Sequence, residues 1–117
     1  CPADAQPTDD WEVALTIRHI VALKFKPSVS DAERMGLLAQ LAGLRGHLSG
    51  MLNITYGRSV SPENLEQGFT YAAVMDFADA AARDTYLDDP QHKAIGKDLV
   101  ASLDGGTAGL VVCDIEI

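Results

Sequence analysis

The segment TIRHIVALKFK, residues 16–26, alternates its side chains in the manner of a β-strand. Because successive side chains of a strand point to opposite faces, the segment presents two surfaces. The first surface carries Ile17, His19, Val21, Leu23 and Phe25. The second carries Arg18, Ile20, Ala22 and Lys24. Both surfaces contain apolar residues, so we expect a sheet that is covered on both sides, and Pro27 ends its first strand.

A helix follows this strand. Residues 30–33, SDAE, have the pattern of a capping box, with Ser30 as the N-cap and Glu33 at the third helical position. Leucines then recur at helical spacing, which predicts one apolar stripe packed on one face of the sheet. The stripe consists of Leu37, Leu38, Leu41, Leu44 and Leu48, and Gly46 and Gly50 mark its end.

The rest of the chain adds three strands and two helices. Strands are predicted at 51–59, 69–77 and 108–117, and a short helix at 78–87. Asp89 and Pro90 are the N-cap and first residue of a further helix, which runs to about Leu103. The order β-α-β-β-α-α-β is that of an α+β ferredoxin-like fold. We expect one such domain, residues 15–117, after a flexible N-terminal tail, residues 1–14.

The second face of the sheet also requires cover. The helices of a ferredoxin-like unit lie on one side of its sheet, yet Ile20 and Ala22 point to the other side. An exposed apolar face of this size is typical of a subunit interface, so the pattern predicts a homodimer.

Composition excludes several classes of function. Seventeen acidic and nine basic residues give a formal net charge of −8, and such a surface repels phosphate backbones, so nucleic-acid binding is not expected. No stretch approaches the roughly 18 apolar residues of a transmembrane helix. The two cysteines show no Cys–His spacing of a metal site, so we expect neither a metal nor another cofactor.

The two cysteines lie at opposite ends of the chain. Cys113, in the apolar segment GLVVCDIEI, is expected to be a small buried core residue. Cys1 precedes a polar tail, as in a bacterial lipoprotein after removal of its signal peptide, which would make Cys1 the lipidation site and place the protein at the cell envelope or in the periplasm. Alternatively, Cys1 is only where the printed sequence starts, and the protein is cytoplasmic.

Three segments together resemble the stress-responsive dimeric α/β-barrel (Dabb) family. They are RHIVALKFKP, GRSVSPENLEQGFTYA and YLDDPQHKAIGKDL, at residues 18–27, 57–72 and 86–99, and the resemblance extends over about residues 16–117. It implies a homodimer in which two four-stranded sheets close into a barrel with the helices outside. The partner's sheet then supplies the cover that the second face requires.

One branch of that family, the plant polyketide cyclases, closes linear poly-β-keto thioesters into rings by an aldol step. By motif position, the resemblance implies Tyr86 and His92 as catalytic residues and His19 as a residue of the same pocket. Two positions depart from the cyclase pattern, which has histidines where this chain has Asp89 and Tyr71. Tyr71 is therefore retained as a pocket residue only by its position.

Three functions remain open at this point. A His/Tyr pair is suited to removing a proton next to a carbonyl group, which would make the protein a cofactor-free lyase or cyclase. A cofactor-free monooxygenase of related fold is a second possibility. The loss of two cyclase-like histidines favours a third: a stress-related module that binds a small apolar or carbonyl-containing molecule without chemistry. In that case Tyr86 and His19 are core residues, and His92 is bonded to a nearby carboxylate or carbonyl.

Overall fold

The computed structural model describes residues 15–117. The elements are β1 (Ile17–Leu23), α1 (Asp31–Gly43), β2 (Met51–Arg58), β3 (Tyr71–Phe77), α2 (Ala80–Asp88), α3 (Pro90–Ala101) and β4 (Leu110–Glu116). Short 3-10 turns lie at Leu44–Gly46 and Gly106–Gly109. The predicted element order is confirmed. The tail, residues 1–14, and Cys1 lie outside the described residues, so the predictions made for them stay predictions.

The four strands form one antiparallel sheet in the order β2-β3-β1-β4. This order, with its helices on one face, confirms the α+β ferredoxin-like fold. β1 lies in the middle and β4 at the edge, and their register sets His19 opposite Asp114 and Val21 opposite Val112. Residues almost a whole chain apart therefore become neighbours.

The core lies between the sheet and the helices. Alternate residues of β1 and β3 are buried, and Leu38 and Leu41 of α1 pack against them. The capping box of α1 is present as predicted, with the Glu33 amide 3.1 Å from the Ser30 hydroxyl and the Ser30 amide 3.0 Å from the Glu33 carboxylate. α1 is therefore fixed at its N-terminus before its leucine stripe meets the sheet.

The other face of the sheet is open in the single chain. Val111 and Ile115 of β4 are 49% and 44% exposed, and the Arg18 guanidinium forms two hydrogen bonds, of 2.8 and 3.1 Å, with the Asp76 carboxylate. Cys113 lies on this face and is exposed, so its prediction as a core residue was wrong. The reason is its register: Cys113 pairs with Ile20, which points away from the helices.

The corner between α2 and α3 follows the predicted pattern. Asp89 is the N-cap of α3 and accepts a hydrogen bond of 2.9 Å from the His92 amide, with Pro90 as the first helical residue. Since α2 ends at Asp88, only Asp89 separates the two helices. This tight corner brings the last turn of α2, which holds Tyr86, beside the first turn of α3, which holds His92.

Two structural features are absent from residues 15–117. No helix there is long and apolar enough to cross a membrane. No group of three or more histidine, cysteine, aspartate or glutamate side chains in that range is placed to hold a metal ion.

Candidate functional site

A cavity of about 230 Å³ lies between the helices and the edge of the sheet formed by β1 and β4. It is lined by His19, Val21, Leu41, Tyr86, Leu87, His92, Gly96, Leu99, Val100, Leu110 and Val112. Eight of these residues are aliphatic or glycine, and the other three carry titratable groups. The structure thus brings three sequence-predicted residues, His19, Tyr86 and His92, together around one mostly apolar space.

Tyr86 and His92 are in direct contact. Their ring centroids lie 4.0 Å apart with an interplanar angle of 35°, and Tyr86 is only 2% exposed. Burial raises the pKa of Tyr86, so its hydroxyl stays protonated at neutral pH. Among residues 15–117, no group forms a hydrogen bond with this hydroxyl. The hydroxyl is a hydrogen-bond donor at the wall of a mostly apolar cavity.

His92 is held in its neutral form. Its pKa is lowered, mainly by burial and further by the neighbouring His19 and Lys93. The Leu87 backbone and the charge of Asp89 act in the opposite direction but do not outweigh burial. The Nδ1 atom is buried and finds no hydrogen-bond partner in the described part of the chain. A neutral imidazole with an unpartnered nitrogen can accept a proton.

His19 is oriented by a carboxylate. Its Nδ1 atom lies 2.6 Å from Oδ1 of Asp114, and its ring centroid lies 5.7 Å from that of Tyr86. An ionised Asp114 accepts a hydrogen bond from Nδ1–H of His19, so Nε2, on the other side of the ring, is left as the acceptor. Because His19 is 5% exposed, this pairing fixes the ring inside the site.

Asp114 is itself bonded from outside the cavity. Burial alone would raise the pKa of its carboxyl, but hydrogen bonds from Arg83 and His19 outweigh burial and the pKa is lowered. The Arg83 Nη1 atom donates to Oδ2 of Asp114 over 2.8 Å, while Oδ1 faces His19. Each carboxylate oxygen therefore has its own partner.

Sequence reasoning did not identify Asp114 or Arg83. The available signal was an acid on the apolar face of the last strand, since Asp114 alternates with Leu110 and Val112. His47 is exposed, and its Nε2 atom lies 2.8 Å from Oδ1 of Asp89. The cap of α3 is thus bonded on both sides.

Tyr71 lies elsewhere. It is buried on β3, its hydroxyl donates a hydrogen bond to Asp31, and its ring packs edge-on against Phe25 with centroids 5.3 Å apart. The hydrogen bond to Asp31 raises the pKa of Tyr71. Tyr71 does not line the cavity that holds His19, so the structure does not bring this predicted pocket residue to the site.

The domain model described as "Stress responsive A/B Barrel Domain" matches residues 17–117. The chain belongs to this family. The family assignment agrees with the ferredoxin-like sheet and with the resemblance seen in the three sequence segments.

Known proteins extend the comparison. The chain is 30% identical over 88 residues to the stress-response A/B barrel domain-containing protein HS1 of Arabidopsis thaliana, covering 75% of this chain and 81% of that protein. It is 23% identical over 82 residues to olivetolic acid cyclase of Cannabis sativa, covering 70% and 81%. A solved structure, a dimeric ferredoxin-like protein of unknown function from Jannaschia sp. CCS1, is 30% identical, with a TM-score of 0.80 and coverage of 87% and 99%.

Proposed function

We propose that the protein is a homodimer that binds a small, largely apolar carbonyl compound in the cavity and catalyses proton transfer on it. The observation that carries this proposal is His92 Nδ1, which is buried at an apolar cavity beside Tyr86 and has no hydrogen-bond partner among residues 15–117. A buried polar atom without a hydrogen bond costs free energy, and such groups concentrate where a ligand supplies the missing partner.

Each polar residue of the cavity has a separate role in the proposed proton transfer. The Tyr86 hydroxyl, whose pKa is raised, donates a hydrogen bond to the carbonyl oxygen of the ligand. His92, neutral because its pKa is lowered, takes a proton from the carbon next to the carbonyl group. As the C–H bond breaks, its electron pair moves toward the oxygen, and the resulting enolate is stabilised by Tyr86. His19, oriented by Asp114, supplies a second proton acceptor at the same space.

Two findings on relatives support the proposal. A curated relative is a cyclase, olivetolic acid cyclase, so a member of this family is an enzyme. A second relative, from Jannaschia, is dimeric. The open, apolar face of the sheet, with Val111 and Ile115 exposed, supports the same assembly here, because a second copy would cover it.

Hydrogen–deuterium exchange of simple ketones tests the chemistry directly. A series from 2-pentanone to 2-nonanone is incubated with the protein in D₂O, and loss of the proton signals beside the carbonyl group is followed by NMR. We expect exchange above the buffer rate, which falls by about 100-fold or more in His92→Gln and Tyr86→Phe, the range that general acid–base groups supply. Tyr71→Phe is the matched control, since it removes a buried hydroxyl outside the cavity.

Each alternative gives a different result. Saturation transfer from the protein to a ketone without exchange would establish a binding module and refute the catalytic part. No transfer and no exchange across the series would refute the ligand class as well. Oxygen uptake with an electron-rich aromatic compound would favour a monooxygenase instead.

A further inference from the structure

We infer that Arg83 is a positioning residue for His19: it holds the Asp114 carboxylate in place, so that the Nε2 atom of His19 remains the proton acceptor that faces the cavity. The inference rests on the proposed function, to which it adds the origin of the orientation of one acceptor.

The geometry forms a continuous chain of contacts from solvent to the cavity. The Arg83 Nη1 atom lies 2.8 Å from Oδ2 of Asp114, and Oδ1 of Asp114 lies 2.6 Å from Nδ1 of His19. The Arg83 Nε atom lies 2.8 Å from Oδ1 of Asp84, so the guanidinium is held on its other side as well. The side chains of Arg83 and Asp114 are 24% and 25% exposed, whereas His19 is buried.

The position of Asp114 in the sheet explains why it requires a second partner. Among residues 15–117, β4 is an edge strand that pairs only with β1, so no described strand lies on the outer side of Asp114. Arg83, three residues before Tyr86 on α2, closes that side from the helix layer. The helix that carries the tyrosine of the site therefore also supports the histidine.

The groups around Asp114 favour the ionised form of its carboxylate. His19 and Arg83 donate to it, and their hydrogen bonds lower the pKa of Asp114 against the effect of burial. Two other acids lie nearby: Asp84 on the far side of Arg83, and Glu116 two residues further along the same face of β4. With Arg83 removed, Asp114 would keep only His19 as a partner. The negative charges of Asp84 and Glu116 would no longer be offset by the guanidinium. The Asp114 carboxylate would then turn toward water, and its hydrogen bond with Nδ1–H of His19 would weaken.

This role differs from general stabilisation. A partly exposed ion pair contributes little to folding, so the Arg83–Asp114 pair is not required to hold β4 in place. The protein offers a matched control in Arg18, which forms a similar pair with Asp76 on the opposite face of the sheet, away from the cavity. If positioning of His19 is specific to Arg83, replacing Arg18 should not affect His19.

The test is the tautomeric state of His19, measured by ¹⁵N NMR of the full chain labelled at histidine. In the wild type we expect the Nδ1–H form to dominate at neutral pH. In Arg83→Gln its population should fall at least about two-fold, because the orienting carboxylate is released. Arg83→Lys, which keeps the charge but not the planar fork, should restore part of the population. Arg18→Gln should leave the His19 signals unchanged.

The outcomes separate this inference from the proposed function. Unchanged His19 nitrogen shifts in Arg83→Gln overturn the inference, whether or not ketone exchange occurs. If the shifts change while the wild type exchanges no ketone, the positioning role stands and the catalytic proposal fails. Should Arg83→Gln not fold, wild-type tautomer populations in Arg83→Lys would still overturn the need for the two-sided guanidinium contact.

Discussion

Two buried tyrosines give the sharpest test of the site, because their hydroxyls differ in what they contact. Tyr86 and Tyr71 are each 2% exposed. The Tyr71 hydroxyl donates to Asp31, whereas that of Tyr86 has no partner within residues 15–117. Replacing each by phenylalanine removes one hydroxyl from a tyrosine that is 2% exposed, so the difference in unfolding free energy reports mainly on the Tyr71–Asp31 hydrogen bond.

The expected magnitudes follow from these contacts. A hydrogen bond to a charged group contributes about 1.5–3 kcal/mol, and Asp31 is exposed, so water replaces part of the lost contact and Tyr71→Phe should cost about 1–2 kcal/mol. The Tyr86 hydroxyl lies at the apolar cavity and has no hydrogen bond among the described residues to lose, so Tyr86→Phe should leave stability unchanged or raise it by up to about 1 kcal/mol. The two variants should therefore differ by at least about 1 kcal/mol.

Urea denaturation near neutral pH, at one protein concentration for all variants, measures this difference. Neutral pH is suitable because the pKa values of Tyr71 and Tyr86 are both raised, so both hydroxyls are protonated. A fixed concentration is needed because a dimer gains apparent stability with concentration. If Tyr86→Phe lost as much stability as Tyr71→Phe, the Tyr86 hydroxyl would have a partner in the folded protein, and the reasoning that assigns it to a ligand would be refuted.

Three further predictions concern the cavity, the helix corner and the sheet face. Gly96 lies in α3 and lines the cavity, and a Cβ atom there would meet no atom within 4 Å. Gly96→Ala should therefore raise stability by about 0.5–1 kcal/mol in thermal unfolding. The same methyl group should slow ketone exchange, because it occupies space in the cavity. Although burial opposes it, the pKa of Asp89 is lowered by hydrogen bonds from the His92 amide and His47, so the stabilisation is complete above the unfolded pKa of about 4 and is lost as the pH falls through the folded value. Asp89→Asn, which can still cap the helix, should thus be less stable than wild type at neutral pH but equal to it in strong acid; an equal difference at all pH values would contradict this. Ile20→Glu on the open face should convert the dimer to a monomer in sedimentation, and persistence of the dimer would place the interface elsewhere.

Local patterns predicted most of the fold. The alternation of residues 16–26, the capping box at Ser30 and the Asp89–Pro90 helix start each depend on neighbours in sequence, and each was found in the structure. The prediction for Cys113 was wrong because both faces of this edge strand carry apolar residues. The local sequence therefore does not show whether a residue faces the helices or the open side. That choice is made by register with β1, which no local pattern contains.

The site was predictable only in part for the same reason. Tyr86 and His92 meet across one tight corner, so their proximity could be anticipated from the short segment 86–92. Asp114 reaches His19 only through the pairing of the first and last strands, and Arg83 reaches Asp114 only after a helix packs beside that edge. Tyr71 shows the converse case, since its position along the chain matched a family pocket but its hydroxyl is bound to Asp31.

If the cavity binds the proposed ligand, the place of β4 links that binding to the order of folding. His19 and Asp114 are 95 positions apart in sequence, and Leu110 and Val112 of the same strand complete the cavity wall. Contacts of such separation form late, because the chain must first close a long loop. A ligand that contacts this wall can bind only when β4 is paired with β1. Its binding therefore stabilises the folded protein against detachment of β4. Amide hydrogens of residues 110–116 should accordingly be the ones whose exchange with solvent slows most when the cavity is filled.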